Sequence, residues 1–175
     1  TTEGQLPWSP ATILTWARNP SSPPLAVPTP TPPAQLAPVV LSLHHVAIAV
    51  PSIAAARAVY VDALGLAASE VERVDDQKVD VLVVLAGEQR IELVEPAADD
   101  SPISKFLERA GGRSGIHHLA WRVADVARAI DTLVAAGVAM IDDAPRDGSH
   151  GTRIAFVHPR STGGVLMELV EDPAA

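Results

Sequence analysis

The sequence predicts an α+β fold in which two tandem strand–helix–strand–strand–strand (βαβββ) units build one half-barrel sheet. Three observations predict it. "HHVAIAV" at 44–50 returns as "HHLAWRV" at 117–123, which sets His45 and His118 73 residues apart. Glu92 in "IELVEP" and Glu168 in "MELVEDP" lie 76 apart. Gly65 and Gly137, each closing a helical pattern, lie 72 apart. A repeat of this kind means two copies of one supersecondary unit that pair to bury a common face.

The elements follow in order from residue 43. "LHHVAIAV" alternates as a strand, and "SIAAARAVYVDALG" carries Ile53, Ala56, Tyr60 and Leu64 at helical spacing with Gly65 as the stop. "AASEVERV", "VDVLVVLA" and "RIELVEP" read as strands that complete a first unit over 43–97. "SPISKFLERAGG" is a linking helix near 102–110, capped by Ser101, started by Pro102 and ended by Gly111. The second unit, 115–172, repeats the order. "IHHLAWRV" is its strand, "DVARAIDTLVAAG" its helix with Asp125 as cap, and "TRIAFVH" and "GVLMELVE" are further strands. Together residues 43–175 form one domain.

Residues 1–42 differ. They hold ten of the sixteen prolines and ten Ser/Thr, with one acid (Glu3) and one base (Arg18). "PSSPPLAVPTPTPPAQLAP" reads as an extended linker. Ser9, Pro10 and Asn19-Pro20 mark the ends of a short helix near 10–18. This stretch is expected to be a disordered or loosely docked extension. Its few acids and many hydroxyls resemble a transit peptide, but it is too poor in Arg for one.

Composition excludes several function classes. There is no cysteine, so neither disulfides nor thiolate metal sites are available. A formal charge of −8 argues against nucleic acid as partner. No run of eighteen apolar residues offers a membrane-spanning helix.

Strand parity sorts the candidate site residues. Side chains alternate between the faces of a sheet. His45, Ala47 and Ala49 share one face, and Val46, Ile48 and Val50 the other. His118, Ala120 and Arg122 oppose Leu119, Trp121 and Val123 in the same way. The bulky apolar face packs on the helix, so His45 and His118 point into the hollow. His44 and His117 go with the apolar side, as structural residues at the start of each strand. Glu92, between Ile91 and Leu93, and Glu168, between Met167 and Leu169, also face the hollow. Buried carboxylates need a cation or a proton. Two imidazoles and two carboxylates together suit a divalent metal ion.

The paired His–Glu units resemble the vicinal oxygen chelate superfamily, which includes glyoxalase I, extradiol dioxygenases and methylmalonyl-CoA epimerases. The blocks "DSPISKFLERAGGRSGIHHLAWRV" and "HGTRIAFVHPRSTGGVLMELV" resemble the epimerases more narrowly. The resemblance covers most of residues 43–171 and leaves the first 42 outside. It implies metal ligation by His45, His118 and Glu168, with Glu92 at the fourth inner position as a direct or water-mediated ligand. The ion it implies is cobalt foremost, with Mn2+, Ni2+ and Zn2+ as alternatives. The implied substrate is the acyl-CoA thioester methylmalonyl-CoA, and the implied assembly a homodimer. The implied compartment is the cytoplasm in a bacterium or the mitochondrial matrix in a eukaryote.

The implied reaction interconverts the R and S epimers at C2. Removing the C2 proton puts charge on the thioester oxygen, where a divalent ion stabilises the enolate. An acid/base group is then needed on each face. Glu168 serves as one, and Asp80 in "QKVDVLVV" is the candidate for the other. Lys105, Arg109, Arg113, Arg146, Arg153 and Arg160 are the cations available for coenzyme A phosphates, and "STGG" at 161–164 offers backbone for close approach. The same residues leave three other readings open. One is a glyoxalase I acting on a glutathione hemithioacetal, another an Fe(II) extradiol dioxygenase. The third is a non-catalytic small-molecule binder, which would not keep the ligands.

Overall fold

A computed structural model describes residues 38–173, so the helix expected near 10–18 lies outside the described residues. Nine strands form one sheet: β1 (Ser42–Ala49), β2 (Ala67–Ala68), β3 (Glu72–Val74), β4 (Val79–Ala86), β5 (Gln89–Pro96), β6 (Gly115–Arg122), β7 (Arg146–Asp147), β8 (Arg153–Val157) and β9 (Met167–Glu171). Along the sheet the order is β2-β4-β5-β1-β6-β9-β8-β7, with β3 also paired to β4.

The repeat is visible in that order. β1 and β6 run antiparallel at the centre, each flanked by a parallel partner of its own unit, β5 or β9, and then by antiparallel β4 or β8. The two units are thus related by a twofold between β1 and β6. The match fades toward the edges. The second unit's counterpart of β2 and β3 is only β7, two residues long. "AASEVERV" is broken as well, because Ser69 Oγ accepts from the Val83 N–H between its two pieces. The far ends of the curled sheet meet where Glu72 accepts the backbone N–H of His150 at 2.8 Å.

Three α-helices accompany the sheet among the described residues. The first, α1, runs Ile53–Arg57 with Ser52 as cap and continues as a π-helical stretch over Ala58–Ala63. That widening breaks the expected 3.6-residue spacing, so Leu64 ends up 62% exposed while Tyr60 and Val61 pack inward. Helix α2 spans Pro102–Arg109 with Ser101 as cap. Helix α3 spans Val126–Ala135, where Asp125 Oδ1 accepts from the Arg128 N–H at 2.9 Å. Gly65 and Gly137 take φ of +71° and +80° at the ends of α1 and α3, where a side chain would be strained.

The two faces of the sheet are packed differently. Ile53 of α1 meets Val50, Leu82, Val84 and Leu93 on one face, and α3 meets Val123, Ala155, Val157 and Leu169 on the same face of the second unit. The other face carries Ala47, Ala49, Val79, Val81 and Val94, covered by Ile103 and Leu107 of α2 in the first unit. In the second unit it carries Ala120, Ile154, Phe156 and Val170. That inner face lines a cavity of about 440 Å³.

Candidate metal centre and active site

Register sets the polar groups of the inner face in two rows. Glu92 pairs across with Ala47, and Ala47 with His118. His45 pairs with Ala120, and Ala120 with Glu168. Each row thus reads carboxylate, alanine, histidine, and the rows run in opposite directions. Ala47 and Ala120 are both 0% exposed. Their small side chains leave room above the sheet for the longer ones to converge. All four polar residues are buried in the cavity wall.

Three of them form a donor triangle. His45 Nε2 lies 3.2 Å from His118 Nε2 and 3.2 Å from Glu168 Oε2, and His118 Nε2 lies 3.1 Å from the same oxygen. Neighbouring ligands of an octahedral ion with bonds of about 2.1 Å are about 3.0 Å apart. The three atoms therefore fit one face of a divalent ion's shell, and they are the cluster that meets the requirement for holding a metal among the described residues. Glu92 stands just outside it. Its Oε1 lies 3.4 Å from Nδ1 of His45, the ring nitrogen turned away from the triangle.

Charge follows this geometry. Burial pushes Glu168 toward the neutral form, but His118 and His45 outweigh it and bring its pKa down to about 2. Burial pushes His45 the other way, yet Glu168 and Glu92 hold its pKa above the usual imidazole value. Burial also raises Glu92, which no imidazole fully compensates. A divalent ion replaces the proton demand of such a cluster with its own charge.

The first histidine of each pair departs from the sequence expectation. His44 and His117 do not share the helix-facing side with Val46 and Leu119; both line the cavity. The reason is a pair of β-bulges. The β1–β6 register shifts between Leu43 and His45, leaving His44 as an extra residue, and shifts again where Ala47 pairs with His118 but Ile48 with Ile116, leaving His117 as the extra one. Each bulge turns its histidine to the side of its neighbour. His44 Nδ1 lies 2.8 Å from His45 Nδ1, and His117 Nδ1 lies 2.9 Å from His118 Nδ1. Burial, with the adjacent histidine, lowers the pKa of His44 and of His117 to about 4.

Asp80 is the second correction. On β4 it is Val79 and Val81 that line the cavity, so Asp80 points to the opposite face. There it is held by Arg73, whose Nη2 donates to Oδ2 at 2.9 Å and whose Nε donates to Oδ1. The carboxylate that does reach the cavity from this region is Asp76, in the turn Asp75–Gln77 ahead of β4. Lys78, with φ of +54°, closes that turn. The adjacent acids in "VDDQK" before an apolar strand were the available signal for it.

Of the cations expected to meet coenzyme A, Lys105, Arg109 and Arg146 line the cavity, whereas Arg113, Arg153 and Arg160 do not. Arg90 lines it too and was not anticipated. Arg146 lies over the Phe156 ring, 5.7 Å from its centroid, and Phe156 meets the edge of His118. Gly164 of "STGG" opens onto a second hollow beside Arg109, His117 and His118.

Comparison with known proteins agrees with this architecture. Residues 44–156 match the family model of the glyoxalase/bleomycin resistance protein/dioxygenase superfamily. The chain belongs to that superfamily. Within it, the chain is 39% identical over 129 residues to the mitochondrial methylmalonyl-CoA epimerase of Dictyostelium discoideum, covering 74% of this chain and 77% of that one. It is 38% identical over 128 residues to the ethylmalonyl-CoA/methylmalonyl-CoA epimerase of Cereibacter sphaeroides, covering 73% and 95%. A solved methylmalonyl-CoA epimerase in complex with methylmalonyl-CoA and NH4+ superposes with a TM-score of 0.73 at 31% identity, covering 77% of this chain and 96% of that one. No helix among the described residues is long and apolar enough to cross a membrane.

Proposed function

We propose that this superfamily member is a metal-dependent epimerase that interconverts (R)- and (S)-methylmalonyl-CoA. The observation that carries the reading is the donor triangle of His45, His118 and Glu168 at the floor of a cavity with further carboxylates on its wall. Identity to named epimerases over the whole domain supports the substrate class. The resemblance to the epimerases points to Co2+, and two imidazoles with one carboxylate are donors that Mn2+, Ni2+ and Zn2+ also accept.

When bound, the ion supplies Lewis-acid stabilisation of the charge that develops on the thioester oxygen as C2 loses its proton. The chain's own residues do the rest. Oε2 of Glu168 faces both ligand imidazoles, which leaves Oε1 for a proton at C2. With a pKa near 2 Glu168 is anionic at neutral pH, as a base must be. Asp76, also on the cavity wall, is the proposed partner, in the role the sequence suggests for Asp80. Inversion needs one of them to take the proton and the other to deliver one to the opposite face of the planar intermediate. Arg90, Lys105, Arg109 and Arg146 are placed on the cavity wall to meet phosphate or carboxylate groups of an acyl-CoA. Glu92 completes the fourth position, directly or through water. A homodimer belongs to the same proposal, as does a cytoplasmic or mitochondrial-matrix location according to source.

The test is conversion. Co2+-loaded protein given either pure epimer should yield the same mixture of both. No conversion, with turnover instead of a glutathione hemithioacetal or a catechol, would overturn the proposal in favour of another superfamily activity.

A further inference from the structure

We propose that His44 and His117, the bulge residues of β1 and β6, are positioning residues for the metal centre. Each would accept the Nδ1–H of the ligand histidine that follows it and so hold that ligand's Nε2 free of a proton and aimed at the ion. The inference rests on the metal reading above and deepens it.

Donor accounting leads there. The triangle uses Nε2 of His45 and of His118. A neutral imidazole that offers Nε2 to a metal must carry its proton on Nδ1, and that N–H needs an acceptor. Nδ1 of His45 meets Nδ1 of His44 at 2.8 Å, and Nδ1 of His118 meets Nδ1 of His117 at 2.9 Å. Two bulges in one strand pair, at repeat-related residues, produce the same contact twice. A bulge costs ladder pairing, and its effect here is to aim a side chain.

The first pair extends one group further. A His44 that accepts at Nδ1 carries its proton on Nε2, and this atom lies 3.3 Å from Oδ2 of Asp172. Nη1 of Arg90 lies 3.0 Å from the same nitrogen. Arg90 can only donate, so bonding to it would require the other tautomer of His44. That tautomer donates at Nδ1 and forces the proton of His45 onto Nε2, where it blocks the ligand atom. Asp172 thus favours the tautomer that leaves His45 competent. Glu92 Oε1 is a rival acceptor for the His45 Nδ1–H at 3.4 Å. The second pair has no such rival among the described contacts.

The experiment reads metal affinity rather than turnover. Metal-free parent and the variants His44→Phe, His44→Asn, His117→Phe and His117→Asn are titrated with Co2+ against a chromophoric chelator, with circular dichroism as the fold control. Phe keeps a planar ring and removes the acceptor. Asn returns an oxygen near the place of Nδ1. Each Phe variant should lose about 10- to 100-fold in Co2+ affinity, and each Asn variant should recover most of it. Phe variants that bind within about twofold of the parent would overturn the proposal. So would Phe and Asn variants weakened alike, since that marks a packing role. Should a Phe variant not fold, the Leu and Asn variants at the same position decide the question by the same criterion. A parent that binds no Co2+ would refute the metal centre itself, a result distinct from equal binding by parent and variants.

Discussion

Replacing Asp76 by Asn separates two signals that travel together in the parent. The side chain keeps its shape and loses its charge. Asp76 is exposed in the turn Asp75–Gln77 at the cavity wall, so stability should change by no more than about 0.5 kcal/mol. Its proposed work is to move one proton on one face of C2. A positioned general acid or base contributes about 10²- to 10⁴-fold, which at about 1.4 kcal/mol per decade is roughly 3 to 5 kcal/mol of barrier. Glu168 on the other face is untouched. A lone base can still remove a proton and return a deuteron to the same face. In deuterated water, exchange at C2 of one epimer should therefore persist near the parental rate while conversion to the other falls at least about 100-fold. Proton NMR follows the first signal, and chromatography of the intact thioesters, which are diastereomers because coenzyme A is itself chiral, follows the second. Epimerisation at the parental rate would refute the assignment of Asp76.

Further outcomes follow from the same geometry. Asp80→Asn should epimerise like the parent, because Asp80 faces away from the cavity and pairs with Arg73; a steep loss would return it to the site. His118→Ala removes a corner of the donor triangle, and metal analysis should find it depleted of the divalent ion that the parent retains. Co2+ affinity, measured at pH 8 and pH 6, should weaken as pH falls, because His45 has a raised pKa without metal and must shed its proton to bind. In the metal-free protein the ionised Glu168, whose pKa of about 2 lies below its ordinary 4.5, stabilises the fold above pH 4.5; chemical denaturation should show that contribution lost as pH falls from 4.5 toward 2. A chain beginning at Pro38 contains every cavity residue among those described and should retain its activity per mole, with a loss beyond about tenfold contradicting the view that residues 1–42 are dispensable for catalysis.

The repeat made the centre of this fold legible, and regular strand pairing made its inner face legible with it. His45, Glu92, His118 and Glu168 obey a two-residue period, so their common face can be read from Ala47, Ala120 and the apolar residues between them. His44 and His117 could not be read that way. A bulge adds one residue to one strand, and a periodic pattern holds no trace of it until the partner strand is known. The doubling of both histidines in each copy was the surviving clue, since a structural residue at a strand start had no need to be repeated as histidine.

The orientation of Asp80 was hidden for a different reason. "VDVLVVLA" is apolar on both faces, so parity alone does not say which side of β4 meets the cavity. Only the packing of Leu82 and Val84 against Ile53 decides it. The π-helical widening of α1 was equally hidden, because Ile53, Ala56 and Tyr60 keep α-helical spacing into the stretch it occupies.

The central claim is proton abstraction and return at C2 by residues gathered around a divalent ion. The most direct measurement is proton NMR of (R)- or (S)-methylmalonyl-CoA incubated with the Co2+-loaded protein in deuterated water. The account predicts that the C2 proton signal disappears with enzyme and metal present, that the methyl doublet collapses to a singlet, and that the same sample after His118→Ala shows neither. A C2 proton retained while the other epimer accumulates, or retained with no epimer formed at all, would contradict it.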